Sequence, residues 1–185
     1  MKRLFIGIKI EPLSPLKNFY KSVKSNFENE RIKWVDMDNI HITLAFLGDT
    51  AEDRVRSLDR MLKSVCPGFG KFSFLLSGLG IFKDLSNPGI LWIGVKQYEE
   101  LKGLNNLISD GLRKEGFNIE RRTFKPHVTV GRIKYLNDKS VLRSVLELYR
   151  DADILEVNVE KITLFESTLL PSGPVYTPLG LFPLM

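Results

Sequence analysis

A single cysteine, Cys66, stands in a chain of 185 residues. No intramolecular disulfide can form, so a reducing compartment, the cytoplasm, is the expected location. Beside Pro67 and Gly68, at the end of a predicted helix, Cys66 reads as a small apolar residue and not a nucleophile. No apolar run approaches the roughly 20 residues of a membrane span. Met1-Lys2-Arg3 before LFIGIKI has the charge of a signal-peptide start, but the run is short, holds Lys9 and lacks a small-residue cleavage site. It reads as a first strand, and no membrane partner is expected. HExxH and CxxC pairs are absent, and no Asp or Glu stands two or four residues after either histidine, which removes the usual metal-site spacings. Gly78, Gly80, Gly89 and Gly94 have no accompanying GK[ST], so a phosphate-binding P-loop is missing too. The local signatures of serine and cysteine hydrolases are also missing. The expectation is therefore a protein with no metal and no cofactor.

What remains is an ordinary globular composition, 43% hydrophobic and 26% charged, fit for one two-lobed domain over residues 1–185. The net charge of +5 favours anionic partners such as nucleic acid.

Residues 3–10 alternate, with Leu4, Ile6, Ile8 and Ile10 on one side and Phe5, Gly7 and Lys9 on the other, the pattern of a half-buried strand. Pro12 and Pro15 open a helix carrying Leu16, Phe19, Tyr20, Val23 and Phe27 at helical spacing. Strands are predicted over 32–35 and 40–47, with Gly48-Asp49-Thr50 ending the second and starting a helix with Val55, Leu58, Leu62 and Val65. Strands near 71–81 and 90–96 follow, then a helix near 98–115 closed by Gly116. A strand near 126–133 leads to a helix near 138–149 built on Val141, Leu142, Val145 and Leu148. Two last strands are expected near 154–165 and 174–182. Leu155, Val157 and Val159 differ in parity from Ile162 and Leu164, which a β-bulge at Glu160-Lys161 would reconcile. The sum is an α+β fold with two similar halves, each an antiparallel sheet covered by helices.

The two histidines occupy the same tetrapeptide: HITL at 41–44 and HVTV at 127–130. With only seven threonines in the chain, both histidines meeting one at the second position by accident has a probability on the order of 0.1–0.2%. In a strand, His41 and Thr43 point to one face, as do His127 and Thr129, while Ile42, Leu44, Val128 and Val130 point to the other. Imidazoles titrate near neutrality, so one can take a proton while the other gives one. Two hydroxyls can donate to phosphate oxygens as charge builds on them. The symmetry fits in-line displacement at phosphorus.

RLFIGIKI, HITLAFLGD and FKPHVTVGR resemble the corresponding segments of the RNA 2′,3′-cyclic phosphodiesterases, also called 2′-5′ RNA ligase-like proteins, in the 2H phosphoesterase superfamily with its paired HxTx motifs. The resemblance implies two pseudo-symmetric α/β lobes around a central active-site groove. It implies metal-independent hydrolysis of a terminal 2′,3′-cyclic phosphate to a 2′-phosphate. Members of the family also join or break 2′-5′ linkages. His127 would be the general base and His41 the general acid, with Thr43 and Thr129 holding phosphate oxygens. Arg132 matches a family position that contacts the phosphate. It stands five residues after His127, so it reaches the groove only if the strand is irregular, and Gly131 is the place for a bulge. Phe5 and Trp92 are the candidates to stack on the terminal base, ahead of Trp34, Phe82 and Phe124. Arg121, Arg122 and Lys125 are candidates for upstream phosphates. The expected partner is RNA with a cyclic phosphate end, tRNA fragments included, and the expected state a monomer. Two other readings stay open: a phosphodiesterase for a small cyclic phosphate or a 2′-5′ oligonucleotide, and an RNA-binding module without turnover.

Overall fold

The computed structural model describes residues 1–85, 87–119, 123–171 and 173–185. Arg121 and Arg122 therefore lie outside the described residues. The strands are β1 (Lys2–Lys9), β2 (Arg31–Trp34), β3 (His41–Thr50), β4 (Phe72–Phe82), β5 (Ile90–Lys96), β6 (Val128–Tyr135), β7 (Asp153–Val159), β8 (Lys161–Leu170) and β9 (Gly173–Pro183). The helices are α1 (Ser14–Ser25), α2 (Glu52–Val65), α3 (Glu99–Lys114) and α4 (Lys139–Leu148).

The strands run in the order β7-β4-β5-β6-β3-β1-β8-β9, with β2 beside β6, and every pairing is antiparallel. Two arms meet at the centre. One is β7-β4-β5-β6 with β2, the other β3-β1-β8-β9. Between them, among the described residues, a single residue pair is in register, Ile42 opposite Val128, and both are fully buried. The α+β, two-lobed architecture is as expected, but the lobes are not the two halves of the sequence. Helix α1 follows β1 yet packs on β7, and α3 follows β5 yet packs on β3. Helix α2 lies against α3. Beyond the end of α4, the Tyr149 ring meets Phe19 of α1 edge-on at 5.1 Å. The chain thus crosses between lobes, and each lobe borrows a helix from the other half.

Three expectations need correction. Strand β1 is buried on both faces from Leu4 to Ile8, because Phe5 joins an aromatic group on the second face. No bulge joins the last strands at Glu160-Lys161. There β7 ends beside β4 and β8 begins beside β1, so the parity change is a crossing from one arm to the other. Leu148, assigned to the buried face of α4, is 67% exposed, since it is the helix's last residue and lies beyond the packed stretch Leu142–Val145.

The β1–β3 ladder slips between Ile6 and Gly7, leaving Leu44 without a partner residue on β1. Asn105 of α3, itself buried, donates its side-chain amide to the Leu44 carbonyl at 2.7 Å. A buried polar side chain thus satisfies the carbonyl that the bulge releases. Replacing Asn105 with leucine should cost about 1–3 kcal/mol. Chemical denaturation should read this as a lower midpoint at unchanged slope.

Candidate active site

His41 opens β3 and His127 immediately precedes β6. Because Ile42 faces Val128 in an antiparallel pair, the flanking residues stand crosswise, His41 towards Thr129 and Thr43 towards His127. All four lie on the face opposite the buried Ile42, Leu44, Val128 and Val130, and all four are half-buried. The two motifs are thereby brought into one cluster at the junction of the arms.

The imidazoles are held alike. His41 Nδ1–H donates to the carbonyl of Asn39 at 2.7 Å, and His127 Nδ1–H to that of Lys125 at 2.8 Å. In both rings this leaves Nε2 as the nitrogen not committed to those carbonyls. The Thr43 hydroxyl lies 3.1 Å from His41 Nε2, donating to it when the ring is neutral. Each ring also rests on aromatics. Phe82 meets His127 edge-on at 4.7 Å, and His41 lies 4.9 Å from Phe5 and 5.1 Å from Tyr176. Burial pushes the His41 pKa below the usual 6.5; the Asn39 carbonyl opposes this and the charge of His127 adds to it.

Phe5 is not available to a base. It is 2% exposed and stacked on Phe165 at 4.9 Å, forming the floor under His41. Trp92 stands opposite Thr129 in the ladder, on the same face as the histidines, and is half-buried. A side chain at Gly80 would come within 2.3 Å of that ring, so only glycine there lets the indole lie flat. Its N–H is buried and has no acceptor among the described residues.

Arg132 reaches the groove face. The β5–β6 register slips between Thr129 and Gly131, so Val130 is the extra residue and parity reverses beyond it. Arg132 is exposed, and its charge, with that of Arg3, acts on Tyr176, the ring that touches His41. Burial holds the Tyr176 phenol above its usual range, against those two charges.

Sequence reasoning missed two residues here. Tyr176 comes from β9, far along the chain, and nothing local marks it. Phe46 is the fifth residue after His41, as Arg132 is after His127. The bulge at Leu44 turns it to the groove face, opposite Phe5, where it is 71% exposed. The shared spacing HITLAF and HVTVGR was the available signal. Lys125 is exposed and contributes its carbonyl to His127. Among the described residues, no three His, Cys, Asp or Glu side chains are placed to share an ion.

The sequence model of the LigT-like phosphoesterases matches this chain twice, over residues 6–92 and 93–176. The chain belongs to the LigT-like phosphoesterase family. Each match contains one of the two HxT tetrapeptides. A Thermotoga maritima protein named RNA 2′,3′-cyclic phosphodiesterase is 37% identical over 77% of this chain and 74% of its own. An Archaeoglobus fulgidus protein of the same name is 32% identical over 97% and 99%. The crystal structure of Escherichia coli LigT complexed with 3′-AMP shares the fold, with a TM-score of 0.78, 23% identity, and coverage of 100% of this chain and 98% of that one.

A histidine whose folded pKa is lowered binds its proton more weakly folded than unfolded. It therefore favours the folded state above pH 6.5, a contribution lost as pH falls towards the folded pKa. His41 should titrate below 6.5 by NMR in the free protein. The parent should lose more stability than His41→Gln on acidification below pH 6.5, and equal losses would assign the acid sensitivity elsewhere.

Proposed function

We propose that the chain hydrolyses RNA ends carrying a 2′,3′-cyclic phosphate to 2′-phosphate ends. The observation that carries this reading is the crosswise quartet His41, Thr43, His127 and Thr129, held at one point in a family whose named relatives are RNA 2′,3′-cyclic phosphodiesterases.

In this reading the cyclic phosphate sits between the two Nε2 atoms. His127 takes a proton from water, the water oxygen bonds to phosphorus, the P–O3′ bond breaks, and His41 gives its proton to O3′. Thr43, Thr129 and the Arg132 guanidinium hold the non-bridging oxygens, where charge accumulates. The acid must carry a proton, yet burial disfavours that in the free protein. The phosphate anion supplies the missing counter-charge, so His41 gains its proton as substrate binds. Trp92, lying flat on Gly80 with its outer face on the groove, offers one stacking surface for the terminal base. Phe46 takes the place expected of Phe5 as the other. No step asks for a metal, and tRNA fragments, a monomeric state and a cytoplasmic setting fit the same reading. No helix among the described residues is long and apolar enough to cross a membrane.

The test is a short RNA ending in a 2′,3′-cyclic phosphate, incubated in EDTA. The parent should yield 2′-phosphate ends. His41→Ala and His127→Ala should each be slower by about 10²–10⁴-fold, and Thr43→Val or Thr129→Val by about 10²–10³-fold. RNA that binds but stays cyclic would favour the binding-module reading. Adding a nucleotide 2′-phosphate should raise the His41 pKa measured by NMR; a pKa that stays put would remove His41 from the acid role.

A further inference from the structure

The face that carries the two HxT tetrapeptides continues past the histidines. Strand β2 lies beside the outer part of β6, with Lys33 opposite Arg132 and Arg31 opposite Tyr135. Residues opposite one another in an antiparallel ladder share a face, and Arg31 and Lys33, two apart, share it with each other. The alternate residues Ile32 and Trp34 turn inward, where Trp34 meets Tyr20 at 5.7 Å and Phe27 at 6.1 Å. The strip Arg132, Lys33, Arg31 and Tyr135 is exposed throughout, Tyr135 by 58%. Lys134, the extra residue where the β2–β6 register slips, is exposed beside it.

Some cations elsewhere on this surface find carboxylates: Lys96 with Asp153, Lys63 with Asp59, Arg113 with Asp110. Among the described residues, Arg31, Lys33, Arg132 and Lys134 are in no ion pair. The nearest acid in the chain, Glu30, has its carboxylate turned to the backbone N–H groups of Asn137 and Asp138. A row of unpaired cations costs stability through self-repulsion unless an anion lies along it. The row begins at Arg132, beside the proposed phosphate site, and leads away from it for about 10 Å along β6.

We propose that this strip binds the backbone of single-stranded RNA, so that the strand leading to the reactive end runs along β6 and β2 and a base stacks on Tyr135. Guanidinium forks and ammonium groups match successive phosphates. An exposed aromatic among cations on an open sheet face is the chemistry of single-strand binding. The inference rests on the reading of the groove as a site for RNA ends. It deepens that reading, because a mononucleotide cyclic phosphate would end at the histidines and touch neither Arg31, Lys33 nor Tyr135.

The test compares the parent with the double variant Arg31→Gln/Lys33→Gln and with Tyr135→Ala. The first readout is anisotropy of a labelled single-stranded RNA ending in a 2′-phosphate, titrated between about 50 and 200 mM salt. The second is hydrolysis of a mononucleotide 2′,3′-cyclic phosphate. The double variant should bind the RNA more weakly, with a log–log salt slope shallower by about 1.4, two contacts at about 0.7 each. Tyr135→Ala should weaken binding with the slope unchanged, a split that loss of fold would not produce. Both should hydrolyse the mononucleotide at the parent rate. An unchanged RNA slope in the double variant overturns the strip. So does displacement of the RNA by an acidic peptide of equal charge at equal concentration, which would assign the strip to a protein partner. Absence of hydrolysis in the parent, with the RNA slopes as expected, overturns the phosphodiesterase reading and leaves the strip standing.

Discussion

The contact between Ile42 and Val128 is the constraint on which the rest depends. Among the described residues it is the single registered pair between two arms that otherwise build their own ladders. Both side chains are completely buried, and each belongs to one tetrapeptide, between its histidine and its threonine. An antiparallel pair at that position sets the four polar side chains crosswise on the opposite face. A slip of one residue would turn one histidine and its threonine into the core. The same packing that buries Ile42 and Val128 therefore aligns the two histidines and two threonines of the proposed site. Helix α3 reinforces it by crossing from the other arm to lie on β3.

Irregularity in the strands matters as much as their regularity. Each motif strand carries a bulge just beyond its threonine, at Leu44 in β3 and at Val130 in β6. Each bulge turns the fifth residue after the histidine to the groove face: Phe46 on one side, Arg132 on the other. One duplicated backbone device thus presents a flat apolar surface on one wall and a planar cation on the other. A pseudo-symmetric scaffold becomes chemically polar in this way, which suits the proposed substrate, with a phosphate at one end and a base at the other. The glycine at position 80 works in the same cause, since any side chain there would lift Trp92.

Much of this was legible in the residues. The paired HxT spacing named both histidines and both threonines, because a strand's period of two is a local property. The helical apolar spacing of Leu101, Leu104, Ile108 and Leu112 named the most deeply buried helix face. The tension over Arg132 was legible too: five residues is the wrong parity for a regular strand, so a bulge near Gly131 was required, and one lies at Val130. Less legible was which face of β1 would be open. Phe5 alternates away from the aliphatic core and so reads as exposed. Phe165, from the far end of the chain, covers it.

The residues alone set the candidate groups: two imidazoles, two hydroxyls and their pairing within the strands, all consequences of local covalent order. Tertiary structure alone decided the neighbourhoods. Which arm each strand joins, why the parity break at Glu160-Lys161 is a crossing and not a bulge, which aromatic becomes floor and which becomes wall, and how Tyr176 meets His41 all rest on contacts between distant residues. Burial of the His41 ring, and with it the direction of its pKa, belongs to that second class. It arises from Phe5, Phe165 and Tyr176, strands apart in the chain and adjacent only once the sheet has closed around them.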